Sequence, residues 1–171
     1  MIRPSRRTML FAAAGLPLVG SADLAHAEDP AATASLLLFD PATEEGGRFA
    51  DHARVLGMHP VAIQGDRVRF ATPLVALRPR RIVAVTRHAD RLLIGGIAAA
   101  EGYRERLAVR HVDGRCAMEA CDTWAGAGAL LARADSAWPE ALAALAAGRA
   151  APARKAAIAP TDAAGWVLMR A

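Results

Sequence analysis

Apolar positions along this chain alternate between two rhythms, short unbroken runs and residues spaced three or four apart. Leu36, Leu37, Leu38 and Phe39 form such a run, ended by Asp40-Pro41, which predicts a strand buried on both faces of a sheet. After Gly46-Gly47, the residues Phe49, His52, Ala53 and Leu56 share one helical face, Arg48, Asp51 and Arg54 lie elsewhere, and Gly57 is a stop signal. Residues 60–64 read as a second short strand. Between Gly65 and Arg80 two readings compete: a hairpin carried by Val68 and Phe70, or a helix capped by Asp66 or Thr72. A parallel crossover needs about a dozen residues, so the expectation is a helix over 72–78 with Pro73 at its first position.

The β-branched run from Arg81 to Val85 predicts a third strand, followed by the polar turn Thr86-Arg87-His88 and a helix reaching Ala100. Leu92, Leu93, Gly96, Ile97 and Ala100 form the stripe expected to face inward. From Tyr103 to His111 the pattern alternates, with Arg104, Arg106 and Arg110 on one side, as in a half-exposed rim strand. Residues 112–123 make a polar excursion, 124–134 and 136–147 read as helices with Pro139 in the first turn of the second, 150–160 as a connector, and 165–169 as a closing strand. Such alternation of strand and helix predicts an α/β fold: a three-layer sandwich around a mostly parallel sheet of about five strands, Rossmann-like or flavodoxin-like in winding. With strand order 2-1-3-4, a crevice opens where Asp40 faces Thr86, Arg87 and His88.

The beginning of the chain changes the picture of where this domain works. Arg3, Arg6 and Arg7 precede a moderately apolar stretch from Met9 to Val19, and Ala25-His26-Ala27 offers small residues for cleavage after Ala27. The apolar stretch is too short for a membrane anchor and is interrupted by Gly15, Pro17 and Gly20. Ser5-Arg6-Arg7-Thr8-Met9-Leu10 resembles the twin-arginine export signal of bacteria, with methionine where that pattern prefers phenylalanine. The resemblance implies use of the twin-arginine export machinery, passage of an already folded protein, and a periplasmic or secreted location. The division expected is a signal peptide over 1–27 and a single α/β domain over 28–171. Beyond the leader the domain resembles only small exported bacterial proteins of no assigned activity, which carries no residue role across.

Taking 27 from 171 residues leaves 144, enough for one core and too few for two ordinary domains. The full chain carries 21 basic and 17 acidic residues, and three of those arginines belong to the leader. No basic stripe with interleaved aromatics occurs, which argues against nucleic acid as a partner. There is no G-x-G-x-x-G after a strand, no Walker sequence and no G-x-S-x-G elbow.

Candidate chemistry therefore rests on placement. Thr86, Arg87 and His88, at the start of a helix, can hold a carboxylate, phosphate or sulfate, or can be an ordinary cap with solvated neighbours. Asp40 is the first residue to add, and Asp66 and His111 follow if the same sheet edge is used. His52, His59, His88 and His111 form no H-x-x-x-H or H-x-x-E-H pair, so no metal set is assigned. Cys116 and Cys121, an even pair in an exported chain, are expected to form a disulfide clamping a polar loop; two thiols, or a metal or redox site with His111, Asp113 and Met118, are the alternatives. Two function classes stay open: a binding or accessory module for a small anionic molecule or partner protein, and an enzyme or metal/redox protein using the loop from His111 to Cys121. No cofactor is specified.

Overall fold

The computed structural model describes residues 35–112, 115–121, 126–149 and 162–171. Arg6, Arg7, Ala27 and the rest of the leader, and the whole of the connector, lie outside the described residues. The elements run β1 (Ser35–Phe39), α1 (Glu44–Val55), β2 (Val61–Ala62), α2 (Arg67–Ala76), β3 (Arg81–Arg87), α3 (His88–Ala100), β4 (Tyr103–Val112), β5 (Arg115–Cys121), α4 (Ala127–Ala134), a 3-10 turn (Asp135–Ala137), α5 (Trp138–Ala146) and β6 (Ala163–Arg170). The chain is thus α/β, with one sheet ordered β2-β1-β3-β6-β4-β5.

The sheet is mixed, which corrects the expectation of a mostly parallel one. β1 runs parallel to β2 and to β3, whereas β6 is antiparallel to both β3 and β4, and β5 antiparallel to β4. The expected order 2-1-3 is present. The closing strand, however, enters between β3 and β4, so β4 is an interior strand and β5 forms the edge. Alternation along β4 is interrupted by a register shift between Glu105 and Leu107. That shift puts Leu107 on the opposite face from Tyr103, and Leu107, Ala108 and Val109 are buried consecutively because both faces of β4 are covered.

Helices pack on both faces. On one, Leu37, Phe39, Val83, Val85 and Val167 meet Phe49, Ala50 and Ala53 of α1, Leu131 of α4, and Trp138 and Leu142 of α5. On the other, Leu38, Ile82, Ala84, Trp166 and Leu168 meet Ala71 and Val75 of α2 and Ile94 and Ala98 of α3. Opposite parities of each strand feed the two clusters, as the pleat requires. Arg48 adds a polar tie on the first face: it holds Glu140 through two bonds of 2.9 and 2.8 Å and donates to the Ser136 carbonyl at 2.6 Å.

Two helices differ from expectation. α2 begins at Arg67 because the Asp66 carboxylate accepts from the amides of Val68 (2.9 Å) and Arg69 (3.0 Å), a cap that starts the helix six residues ahead of Pro73. Pro73 consequently lies within the helix. α3 has the expected limits and the opposite orientation. Asp90, Arg91, Ile94 and Ala98 are its buried residues, while Leu92 is 60% and Leu93 42% exposed. Of the stripe expected to face the sheet, Leu92, Leu93, Gly96 and Ala100 face outward, while Ile97 packs against the core. Polar partners decide this: Arg91 clasps Glu105 of β4 at 2.9 and 2.8 Å, and Arg67 of α2 reaches Asp90 at 3.1 Å. A bidentate guanidinium–carboxylate pair fixes orientation as well as contributing energy.

Candidate functional site

The carboxyl ends of β1 and β3 are neighbours, and the chain leaves them in opposite directions. β1 continues to α1 on one face of the sheet, and β3 continues to α3 on the other. In an open α/β sheet this reversal leaves a crevice at the strand ends, where ligands are bound. Asp40 occupies the end of β1, its amide donating to the Val85 carbonyl at 3.0 Å. Residue 40 and residues 86–88, expected to face one another, are thus neighbours at the ends of the two strands.

Asp40 is held by a tight turn. Its Oδ1 accepts from the Ala42 amide at 2.9 Å, and its carbonyl accepts from the Thr43 hydroxyl at 3.0 Å. Thr43 in turn caps α1, accepting from the Gly46 amide at 3.1 Å. Gly46 is required here, because a Cβ would lie 2.2 Å from the Asp40 carbonyl oxygen and 2.7 Å from the Thr43 Oγ1. The carboxylate is 1% exposed as a residue and its Oδ2 has no hydrogen-bond partner among the described residues. Arg87 Nε stands 3.3 Å from that oxygen, an ion-pair contact without hydrogen-bond alignment, and its own side chain is half exposed.

The remaining expected residues divide. Thr86 is the last buried residue of β3. Its hydroxyl accepts from the Trp166 indole at 2.9 Å and donates to the Arg87 carbonyl at 3.1 Å, so it braces β6 and neither caps α3 nor offers a free donor. Arg87 is the residue before α3 and makes no side-chain cap. His88 opens α3, half-buried, with Nδ1 3.4 Å from Arg91 Nη1. Asp66 is committed to capping α2. His111 lies on β4 at the same sheet edge, since Arg110 pairs with Ala164 and Ala164 with Thr86. Two strand spacings, roughly 10 Å, separate it from β3.

Residues missed by the sequence reading complete the rim. Asp90, in the first turn of α3, is buried, accepts from Arg67 through Oδ1, and leaves Oδ2 without a hydrogen-bond partner. Thus two buried carboxylates, Asp40 and Asp90, each face one arginine and each keep one acceptor unsatisfied. An acidic residue in the first turn of a helix was the available signal for Asp90. Nothing local marks Arg67 as its partner. Among the described residues no three His, Cys, Asp or Glu side chains cluster to hold a metal.

Residues 111–112 and 115–121 are paired strand rather than a polar loop. β5 carries both cysteines, five residues apart on one extended strand. At about 3.3 Å per residue their Cα atoms lie roughly 16 Å apart, against a limit of about 7 Å for a disulfide. The expected Cys116 to Cys121 clamp is therefore incompatible with β5. The register instead sets His111 opposite Cys116 and Leu107 opposite Cys121.

No family model matches the chain, and no curated protein or solved structure does either. The functional reading therefore depends on the geometry.

Proposed function

We propose that this chain is an exported, periplasmic or secreted binding or accessory protein that holds a small ligand in the crevice between the ends of β1 and β3. The observation that carries the reading is the buried Asp40 Oδ2, aligned with no donor, beside the half-exposed Arg87. An acceptor left unsatisfied in a buried setting costs about 1–3 kcal/mol, which a ligand N–H or O–H recovers. Because Asp40 offsets the charge of Arg87, the ligand that fits is a small anion carrying its own donor group: the donor meets Asp40 and the anionic group meets Arg87. The helix–sheet–helix packing around the parallel strands supports describing that half as a three-layer, Rossmann-like winding. Export rests on the leader and its resemblance to twin-arginine signals, with the export machinery as partner. Among the described residues no helix is long and apolar enough to cross a membrane.

The test is native mass spectrometry of the full chain expressed in a bacterium with a twin-arginine system. The expected product begins at Glu28 and retains a small-molecule adduct, which is lost in Asp40→Asn and in the double variant Arg87→Ala with His88→Ala while the circular dichroism stays unchanged. An adduct kept by both variants would exclude the crevice, and an uncut chain would exclude the export reading. A second reading, thiol, metal or redox enzyme chemistry at the β4–β5 hairpin, draws on the register that sets His111 opposite Cys116. Thiol titration of the folded protein separates the two, because that chemistry requires a titratable Cys116 whose alkylation removes activity.

A further inference from the structure

β4 ends and β5 begins at the same rim, in the outermost ladder of the sheet, and their register brings sulfur and imidazole residues together. His111 stands opposite Cys116, and Val109 opposite Met118. Residues opposed across a ladder share a face, so His111, Cys116 and Met118 belong to the face that carries Leu107 and Val109. The Cα atoms of directly opposed residues in an antiparallel pair, here His111 and Cys116, lie about 4.5–5.5 Å apart. Cys116 and Met118, two residues apart on one strand, are separated by roughly 7 Å, and His111 and Met118, on the diagonal, by about 7–8 Å. Cys121 stands opposite Leu107, roughly 16 Å from Cys116 along β5 and outside this triangle.

We propose that this juxtaposition of the imidazole of His111, the thiol of Cys116 and the thioether of Met118 is a site for Cu(I). Thiolate and thioether sulfur are soft donors that select Cu(I) over the hard divalent ions, and imidazole accepts the same metal. Zinc fits less well: its closed sites take four ligands drawn from Cys, His and carboxylates, and only two of these three residues qualify. The strand pairing also keeps the thiol available. In the oxidising compartment to which the leader points, two cysteines ordinarily close into a disulfide, and β5 holds this pair too far apart to do so.

Binding releases the Cys116 thiol proton to solvent, and copper enters and stays as Cu(I), so no electron changes hands. The site rests on the second reading above and narrows it from thiol, metal or redox chemistry to one ion that is held without turnover. It is independent of the crevice at Asp40.

Anaerobic titration of the full chain with Cu(I), in competition with the chromophoric chelator bathocuproine disulfonate, tests the proposal. One Cu(I) per chain is expected, with X-ray absorption showing sulfur and nitrogen neighbours together. His111→Gln, Cys116→Ser and Met118→Leu are each expected to weaken binding at least about tenfold, a loss that even outer partners of metal ligands produce, with unchanged circular dichroism. Cys121→Ser is expected to bind as the wild type does. Met118→Leu is the decisive variant, because it conserves side-chain volume and removes only the sulfur; full affinity there would reveal a bare thiol and overturn the site. Equal losses in Cys121→Ser and Cys116→Ser would overturn it as well. A wild type that takes no copper while Cys116 alkylates readily would overturn this proposal and leave the thiol reading standing, whereas a Cys116 that neither alkylates nor binds copper would end both.

Discussion

The two halves of the sheet solve the same problem by different means. In the parallel half, β2-β1-β3, short strands are joined by helical crossovers, and every crossover returns polar residues to one rim. Asp40, Asp66, Arg67, Arg87 and Asp90 all sit at starts of helices or ends of strands there. In the antiparallel half, β6-β4-β5, longer strands pair directly, and its centre is locked by apolar contacts and by the Trp166 indole bonded to Thr86 across the junction. Where strands run parallel the backbone concentrates charge at one edge, as at topological switch points generally. Where they run antiparallel, the same sheet pairs its strands directly around an apolar centre.

Substitutions at two glycines break the halves separately. The largest effect is expected from Gly46→Ala, because the new methyl would meet a backbone carbonyl that cannot swing aside. A loss at the upper end of the roughly 1–3 kcal/mol typical of overpacking is expected, read from the urea midpoint, together with loss of the Asp40 turn. Gly165→Ala follows, at about 2 kcal/mol. There the Cβ would lie 2.5 Å from the Trp138 ring and 3.1 Å from Leu142, side chains that can yield slightly. Stability lost in Gly165→Ala with ligand retention intact would separate scaffold from site; ligand loss in both variants would abolish that distinction.

The smallest expected effect lies at the opposite rim, where Tyr103 of β4 donates to the Pro79 carbonyl ahead of β3. Burial raises the Tyr103 pKa above its ordinary value, against opposing contributions from Arg170 and Arg78, with Glu101 adding slightly. A raised folded-state pKa means the neutral phenol is the form the fold favours. Its contribution is complete below the unfolded value near 10 and disappears as pH rises through the folded value. Melting temperatures taken from pH 8 to about 11 are expected to fall more steeply for the wild type than for Tyr103→Phe. Parallel curves would remove Tyr103 from the tie between the halves.

Much of the parallel half was legible in the sequence because its signals are local. The apolar run before Asp40 and the β-branched run after Arg81 each specified a strand in place, and the crossover length between Gly65 and Arg80 supplied β2-β1-β3. One contact of the candidate site was legible too: Asp40 and Arg87 were expected together and are in contact. What failed was non-local. No feature of residues 163–170 announces that they enter between β3 and β4. The outward turn of Leu92 and Leu93 was concealed because α3 is apolar on most of its circumference, so periodicity cannot select a face. Glu105 and Arg67 select it, from elsewhere in the chain. Thr86 was assigned to the turn on residue type, whereas β3 runs two residues further and buries its hydroxyl under Trp166.

The position of β6 has one more consequence, for the order in which the molecule comes into being. Its two neighbours, β3 and β4, are synthesised well before it and share no ladder with each other, so the sheet stays in two unjoined pieces until the last described strand arrives to bridge them. Assembly through so distant a segment is slow relative to local helix formation. A chain of this design cannot mature progressively as it leaves the ribosome, and truncation at residue 162 would leave both new strand edges open to association with other chains.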